Sequence, residues 1–512
     1  MRAKIQFGAC RWALGIFAIS IGLLLSAQPS WAGVIHVPSE QPDIQAGIDA
    51  ATEGDTVLVA DGTYTGDGNR DIDFGGKSIV LKSENGSGST VIDCQGSESD
   101  PHFGFYFHSG EDATAVVEGF TVQGGYSNTF IVDTASGESF SVGGGVFCVD
   151  YSSPTLKNCI VKENRAGGFG GGIACGHGAS PLLIGCVFIG NHADVEGGGI
   201  FCADFSSPTL TDCVFTENSA LNGGGIYCTL YSSPTLTNCT FNGNSAGEYG
   251  GAICLIDSDP ILEYCVFSGN PAMWGGGISC TDNASPTLSN CTFVGNYASD
   301  RASGIFCFYS SPTLENCIIA FGSGGGAFSC MGQENSPSLS CCDIYGNAGG
   351  DWADCIADQA GTNNNFSANP LFCHAAASDF HIDDDSPCAP ANSPCGTLVG
   401  AYDVACTETS VFDDPVGPHP AQFTLWQNYP NPFNASTVIK FETKTSGRVT
   451  LDIYNILGER VFTREIESQE PGSHGITWNG LDNVRKAVPS GIYFYRVQAD
   501  GVSQSRKMVL LK

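Results

Sequence analysis

From Gly143 onward the apolar positions fall into short runs of three to six residues that alternate with period two. Each run ends in Gly, Ser, Pro or Asn, which is the signature of short strands and tight turns rather than helices. The runs recur as one phrase of about 26 residues that can be aligned eight times. A glycine triplet leads into a strand ending in cysteine, then a turn and Ser-Pro, then a strand centred on leucine. A second cysteine, a strand centred on an aromatic or aliphatic residue, and an asparagine complete it. The leucine column is Leu156, Leu183, Leu210, Leu236, Leu262, Leu288, Leu314 and Leu339. The asparagine column is Asn164, Asn191, Asn218, Asn244, Asn270, Asn296 and Asn347, with Gly322 as its one exception.

A strand of three residues cannot bury its apolar face alone. Stacked on the matching strand of the next repeat it forms a parallel ladder about 4.8 Å apart, with like side chains aligned. The pattern therefore predicts an all-β solenoid whose regular coils span 143–347. The residue before the second cysteine (Asn158, Gly185, Asp212, Asn238, Asn290, Asn316) is of a type that tolerates a left-handed bend, while Tyr264 at that place is an exception. Pro154, Pro208, Pro234 and their counterparts precede the second strand, where a missing N–H is harmless.

Upstream, Asp43–Ala50 reads as a short amphipathic helix with Ile44, Ile48 and Ala51 on one face, placed to plug the open end of the stack. Irregular coils fill the interval to Val142. The first 32 residues, with Arg2, Lys4 and Arg11 before the apolar run Ala13–Leu25 and then Ser30-Trp31-Ala32, read as a secretory signal peptide. Nothing after it is apolar for long enough to cross a bilayer as a helix, so no transmembrane helix is expected in the mature chain.

The repeat resembles the polymorphic outer-membrane-protein type of β-helix repeat: Gly250-Gly251-Ala252-Ile253 and Phe241-Asn242-Gly243-Asn244 match its GGA[IL] and FxxN signatures. Residues 42–64, with Gly54-Asp55-Thr56-Val57 and Gly62-Thr63-Tyr64, are similar to the opening of pectin-lyase-like β-helices. Asn369-Pro370-Leu371-Phe372 and Asp379-Phe380-His381-Ile382 resemble their closing coils. The resemblance implies a right-handed parallel β-helix over 33–406, with a cap at 348–406. It leaves function open, because the superfamily includes lyases, hydrolases, adhesins and phage tailspikes.

Residues 407–422 read as a linker. Alternation at Val438–Phe441, Val449–Tyr454 and Gly491–Val497 then points to a small β-sandwich over 423–512. Gln427-Asn428-Tyr429-Pro430-Asn431-Pro432-Phe433-Asn434, Ser490-Gly491-Ile492-Tyr493 and the ending Lys507–Lys512 resemble the immunoglobulin-like sorting domains of the Por or type IX secretion class. That resemblance implies export through the C-terminal domain, with the secretion machinery as partner, to the medium or the bacterial cell surface.

Charge narrows the partners. With 21 Lys and Arg against 53 Asp and Glu, the net charge of −32 repels phosphate backbones, so nucleic acid is not expected. Among 24 cysteines, two columns face inward. One is Cys148, Cys175, Cys202, Cys228, Cys254, Cys280, Cys307 and Cys330; the other is Cys159, Cys186, Cys213, Cys239, Cys265, Cys291, Cys317 and Cys342. Thiol stacks and disulfides both fit these columns. A metal ladder fits less well, since no CxxC pairs accompany them. Cys341, Cys355, Cys373, Cys388, Cys395 and Cys406, after the repeats, are expected to form ordinary disulfides.

Catalytic chemistry is hard to find. The outward column beside the first cysteines reads Phe147, Ala174, Phe201, Tyr227, Ile253, Ser279, Phe306 and Ser329, without an ionisable acid or base for a lyase or glycosidase. From 143 to 347 the cations are Lys157, Lys162, Arg165 and Arg301. Asp150, Asp204 and Asp282 recur just past the first cysteine column, where turn solvation or Ca²⁺ binding would suit them; no cofactor is required. His177, apart from the other candidates, reads as structural. Asp71, Asp73, Asp93, His102 and His108 in the irregular coils are the remaining candidates for catalysis. The aromatic residues Phe147, Phe201, Tyr227 and Phe306, with Tyr151, Phe205, Tyr231 and Tyr309 from the turns, would make an exposed platform for sugar rings or a protein surface unless a long turn covers it. The sequence thus favours a non-catalytic, adhesin-like protein that binds an extracellular polysaccharide or surface protein. A polysaccharide lyase or glycoside hydrolase is the alternative.

Overall fold

In the computed structural model, residues 32–127, 130–132, 139–141, 143–332, 337–375, 378–406 and most of 423–510 are described. Nearly all of the expected signal peptide, the linker and most of the 427–434 motif lie outside them.

The chain winds as a parallel β-solenoid walled by three sheets. One, of ten strands from Ile72–Asp73 to Phe328–Met331, contains the strands that follow the glycine triplets. The leucine sheet has twelve strands, from Val34–Val37 to Ser338–Ser340. The third, of eleven strands from Gly62–Tyr64 to Asp343–Tyr345, contains the phenylalanine column. Neighbouring strands pair in register, so Leu183 lies beside Leu210 and Phe188 beside Phe215. The irregular coils obey the same rule upstream, apart from an antiparallel hairpin, Phe130–Val132 with Ser139–Ser141, that the repeat pattern does not foreshadow.

Like side chains stack through the core. The rings of Phe188, Phe215, Phe241, Phe267 and Phe293 follow one another at 4.6, 4.7, 5.0 and 4.4 Å, nearly parallel. The asparagines form a buried polar ladder. Asn218 Nδ2 donates to Asn244 Oδ1 at 2.9 Å and to the Phe188 carbonyl at 3.0 Å. Asn244 Oδ1 also accepts the Asn218 backbone N–H at 3.1 Å. Each amide thereby satisfies the turn that it lines, as buried polar groups must. At Gly322 the ladder is interrupted because a Cβ there would collide with Ser303 Oγ. The bend before the second cysteine has φ between +49° and +61° at all eight places, Tyr264 included. The glycines allow coils to close up: a Cβ on Gly171 would lie 2.5 Å from the carbonyl oxygens of both Gly198 and His192.

The first-cysteine column departs from its expected register. Tyr227 pairs with Cys254 and Cys228 with Leu255, so Leu255 takes the inward place. Cys254, not Ile253, occupies the outward row between Tyr227 and Ser279. Alignment on Gly-Gly-Ala-Ile rather than on cysteine gives this register, since Ile253 pairs with Ile226. The ladder cysteines are thiols except at its end, where Cys330 is bonded to Cys355. In the second column each thiol donates to a carbonyl one coil away, as Cys186 does to Leu156 at 3.3 Å. Burial pushes Cys148, Cys280, Cys291 and Cys342 well above the ordinary thiol range, which leaves them un-ionised and inert.

Both ends of the stack are covered. The helix Ile44–Ala50, N-capped by Asp43, buries Ile44 and Ile48 against the first coil, and Lys77 Nζ donates to the carbonyls of Ile48, Asp49 and Ala51 at its end. At the far end a 3₁₀ turn, Asp354–Gln359, buries Ile356 in the core. Asp354, Gln359 and Asn365 accept the exposed-edge N–H groups of Cys330, Leu339 and Cys342. Beyond it the chain folds back along the phenylalanine sheet, where Ile382, Cys388 and Val399 pack on Ile318 and Ala320. Disulfides Cys341–Cys395 and Cys373–Cys406 fasten this segment. Cys388, expected in a disulfide, is a buried thiol that donates to Asp343 Oδ2 at 3.3 Å.

The C-terminal module is a sandwich of antiparallel sheets. One has the strands Phe423–Leu425, Thr437–Thr443 and Gly472–Trp478; the other has Arg460–Gln469, Gly447–Asn455, Gly491–Ala499 and Val502–Leu510. Trp478, Tyr495, Leu451 and Ile453 fill the space between them. The Tyr495 hydroxyl accepts the Asn428 N–H at 2.8 Å.

Candidate binding site

The turn that leaves the ten-stranded sheet carries two residue columns along the solenoid. In register, the first reads Asp150, His177, Asp204, Leu230, Asp257, Asp282 and Tyr309. The next residue in each turn gives Tyr151, Gly178, Phe205, Tyr231, Ser258 and Asn283. Asp257 was missed from sequence because counting from Cys254, one residue early, leads to Ile256 instead. Backbone bonds stitch the turns together: Tyr151 N donates to His177 O, Gly178 N to Asp204 O and Phe205 N to Leu230 O.

The turn aromatics expected to be exposed are so: Tyr151 at 78 %, Phe205 at 64 %, Tyr231 at 63 % and Tyr309 at 48 %. Phe205 and Tyr231 stack at 5.5 Å, and the Tyr151 ring lies across Gly178. All four aromatics have left-handed backbones, with φ of 62°, 61°, 62° and 51°. For side chains of this bulk that conformation costs about 1–2 kcal/mol each. Glycine serves the same turn at 178, so the fold does not demand an aromatic ring there.

The other half of the expected platform is closed. Phe147, Phe201, Tyr227 and Phe306 are buried, because the loop preceding each glycine triplet folds over the sheet. That loop presents Phe169, Glu196 and Asn222 in one parallel row, with Tyr249 and Trp274 on the two coils that follow. Phe169 stacks on Phe201 at 4.8 Å, while Tyr249 and Trp274 cover Phe306 at 6.3 and 6.0 Å. Under the roof the Tyr227 hydroxyl donates to Glu196, whose carboxyl burial pushes up. The aromatic residues at Phe169, Tyr249 and Trp274, each just before a glycine, were the sequence signal for this lid.

His177 does not stand apart. Its Nδ1 lies 3.2 Å from Asp150 Oδ1 and its Nε2 3.6 Å from Asp204 Oδ2, so it bridges carboxylates from the coils on either side. Asp150 and Asp282 are five coils apart, about 24 Å at strand spacing, so the three aspartates cannot share one Ca²⁺. Among the described residues no three His, Cys, Asp or Glu side chains gather as a metal-binding group.

At the N-terminal end of the same sheet, Asp73 and Tyr106 are strand partners on the outer face. Asp71 Oδ2 lies 2.5 Å from His102 Nδ1, and Asp73 Oδ2 lies 3.2 Å from His108 Nε2. Tyr106 stacks between His108 at 4.1 Å and Phe147 at 5.3 Å. The fold thus joins four of the five irregular-coil candidates into two Asp–His pairs. Asp93 is not drawn into either pair; its carboxylate accepts the Gln95 N–H of its own turn at 3.2 Å.

A coiled stack of three parallel sheets with residue ladders, capped at both ends and followed by an immunoglobulin-like module, defines a β-helix protein. The sequence model for the right handed beta helix region matches residues 85–259, 185–344 and 246–372, more than half of the chain, and the chain belongs to that family. The FlgD Ig-like domain model matches residues 428–503. No curated protein matches the chain. Among solved structures, pectate lyase Pel9A is 15 % identical over 73 % of this chain and 97 % of its own, with a TM-score of 0.44. Tailspike protein 2 of an Escherichia coli O157:H7 bacteriophage is 12 % identical over 94 % and 68 %, with a TM-score of 0.27. Dimeric latent PorU from Porphyromonas gingivalis is 19 % identical over 19 % of this chain, with a TM-score of 0.17, and the chain spans 10 % of its length. Likenesses this low speak to neither activity nor ligand. Three disulfides fit an extracellular protein, and no helix among the described residues is long and apolar enough to cross a membrane.

Proposed function

We propose that the chain is an extracellular surface-binding protein that holds a polysaccharide along the turn ridge of Tyr151, Phe205, Tyr231 and Tyr309. The observation that carries this reading is the exposure of bulky rings on left-handed backbones, at positions where glycine satisfies the fold. Strain without burial is characteristic of functional sites rather than of stability. Aromatic rings in a row suit sugar faces and edges. Exposing the full chain to a glycan array and to insoluble polysaccharides tests this: the ridge reading expects retention that Phe205→Ala and Tyr231→Ala reduce by about tenfold, or 1.4 kcal/mol. Retention that both substitutions leave unchanged would refute it. The repeats, of the polymorphic outer-membrane-protein type, would serve to space the ridge. The C-terminal module would act as a Por-class sorting domain, as its Ser490–Tyr493 and Lys507–Lys512 wording supports.

A second reading, processing of the polysaccharide, rests on the Asp71–His102 and Asp73–His108 pairs beside Tyr106, groups suited to proton transfer. Turnover of acidic or neutral polysaccharides that His108→Ala and Asp73→Asn abolish, but that ridge substitutions spare, would favour it.

A further inference from the structure

We propose that the ridge selects a cationic amino-sugar polymer over neutral and acidic glycans. This rests on the reading of the ridge as a glycan site. The two columns of the turn run side by side: carboxylates of Asp150, Asp204, Asp257 and Asp282 in one, the rings of Tyr151, Phe205 and Tyr231 in the other. Between Cys148 and Thr313 the turns leaving the ten-stranded sheet contain five aspartates, counting Asp259, and no Lys or Arg.

An ammonium group is the ligand chemistry that uses both columns at once. It is attracted to an aromatic π-system, and a neighbouring carboxylate adds a charge-assisted hydrogen bond. His177 shows the column engaging nitrogen: its two ring nitrogens face Asp150 and Asp204, in the manner that two amines of a ligand would. Asp257 and Asp282, further along, are in no ion pair among the described residues, and Asp282 is exposed. Asn283 Nδ2 donates to Asp257 Oδ1 at a long 3.5 Å. A polymer lying along the solenoid would meet a carboxylate or a ring at nearly every coil, which favours a chain charged at each unit over a single basic side chain. The net charge of −32 disfavours polyanions from a distance.

The test is calorimetric titration of the full chain with glucosamine oligomers and with their N-acetylated counterparts, at a mildly acidic pH that keeps the free amines charged, in low and high salt. The expected result is affinity for the free amine at least about tenfold above that for the acetylated form, weakened by salt. The double substitution Asp257→Asn and Asp282→Asn should remove most of that difference, whereas Tyr231→Ala should weaken both oligomers. Equal affinity for the two oligomers would overturn the charge selection while leaving glycan binding in place. Binding of lysine-rich peptide in preference to either oligomer would also overturn it. Failure to bind either oligomer overturns the selection, and together with silence across a glycan array it removes the ridge reading too.

Discussion

Asn244 shows how much a single side chain does in a ladder. Its amide donates to the Phe215 carbonyl and to Asn270, and its oxygen accepts two N–H groups of Asn218. Replacement by alanine strips partners from several buried groups at once, each worth about 1–3 kcal/mol. Asn244→Ala should therefore cost on the order of 3 kcal/mol, read as a lower denaturant midpoint. A loss no larger than that of an exposed polar substitution would mean that water or relaxation replaces the ladder. The asparagine column was legible in the sequence as a repeat, and the bend before the second cysteine was legible as a left-handed position. Tyr264 was not, because a tyrosine carries no signal for φ of +55°. Its neighbours above and below impose the conformation.

At the scale of elements, the repeat fixed strand order and core columns, but counting cysteines misplaced one coil. Cys254 took the place of a tyrosine and Leu255 that of a cysteine, a swap invisible to spacing and settled only by pairing of Ile226 with Ile253. The aromatic row was misread for a related reason. Alternation tells which residues leave the core, not whether a later loop covers them, and Phe169, Tyr249 and Trp274 do so. The disulfides of the terminal segment depended on contacts between chain stretches distant in sequence, so Cys330 was drawn from the ladder and Cys388 was left as a thiol.

That segment makes a pH prediction. Burial pushes the Asp343 carboxyl up to about 7, with the Ala368 N–H and the Cys388 thiol as its partners. Because the folded state binds this proton more tightly than the unfolded one, the stabilisation is complete below the ordinary carboxyl pKa of about 4. It declines as pH rises from there and is lost above about 7, a change on the order of a few kcal/mol. Asp343→Asn should gain stability relative to the parent as pH increases from 4 to 8, in thermal melts of the two proteins run side by side. A difference independent of pH would show that the carboxylate is ionised in the fold.

Over the whole molecule, the solenoid turns a repeated phrase into a straight array of turns. Its ends are closed by Ile44 and Ile48 at one side and by Ile356 at the other, all buried in the core. Stability lies in the ladders, whereas the ridge stands outside them and contributes exposed rings on strained backbones. The separation is itself testable in one sample. The variant combining Tyr151→Gly, Phe205→Gly and Tyr231→Gly is compared with the parent for glycan affinity and for melting temperature. Loss of binding by at least about tenfold, with the melting temperature unchanged or raised, is the predicted result. Intact binding accompanied by a lowered melting temperature would contradict it and return the ridge to the architecture of the fold.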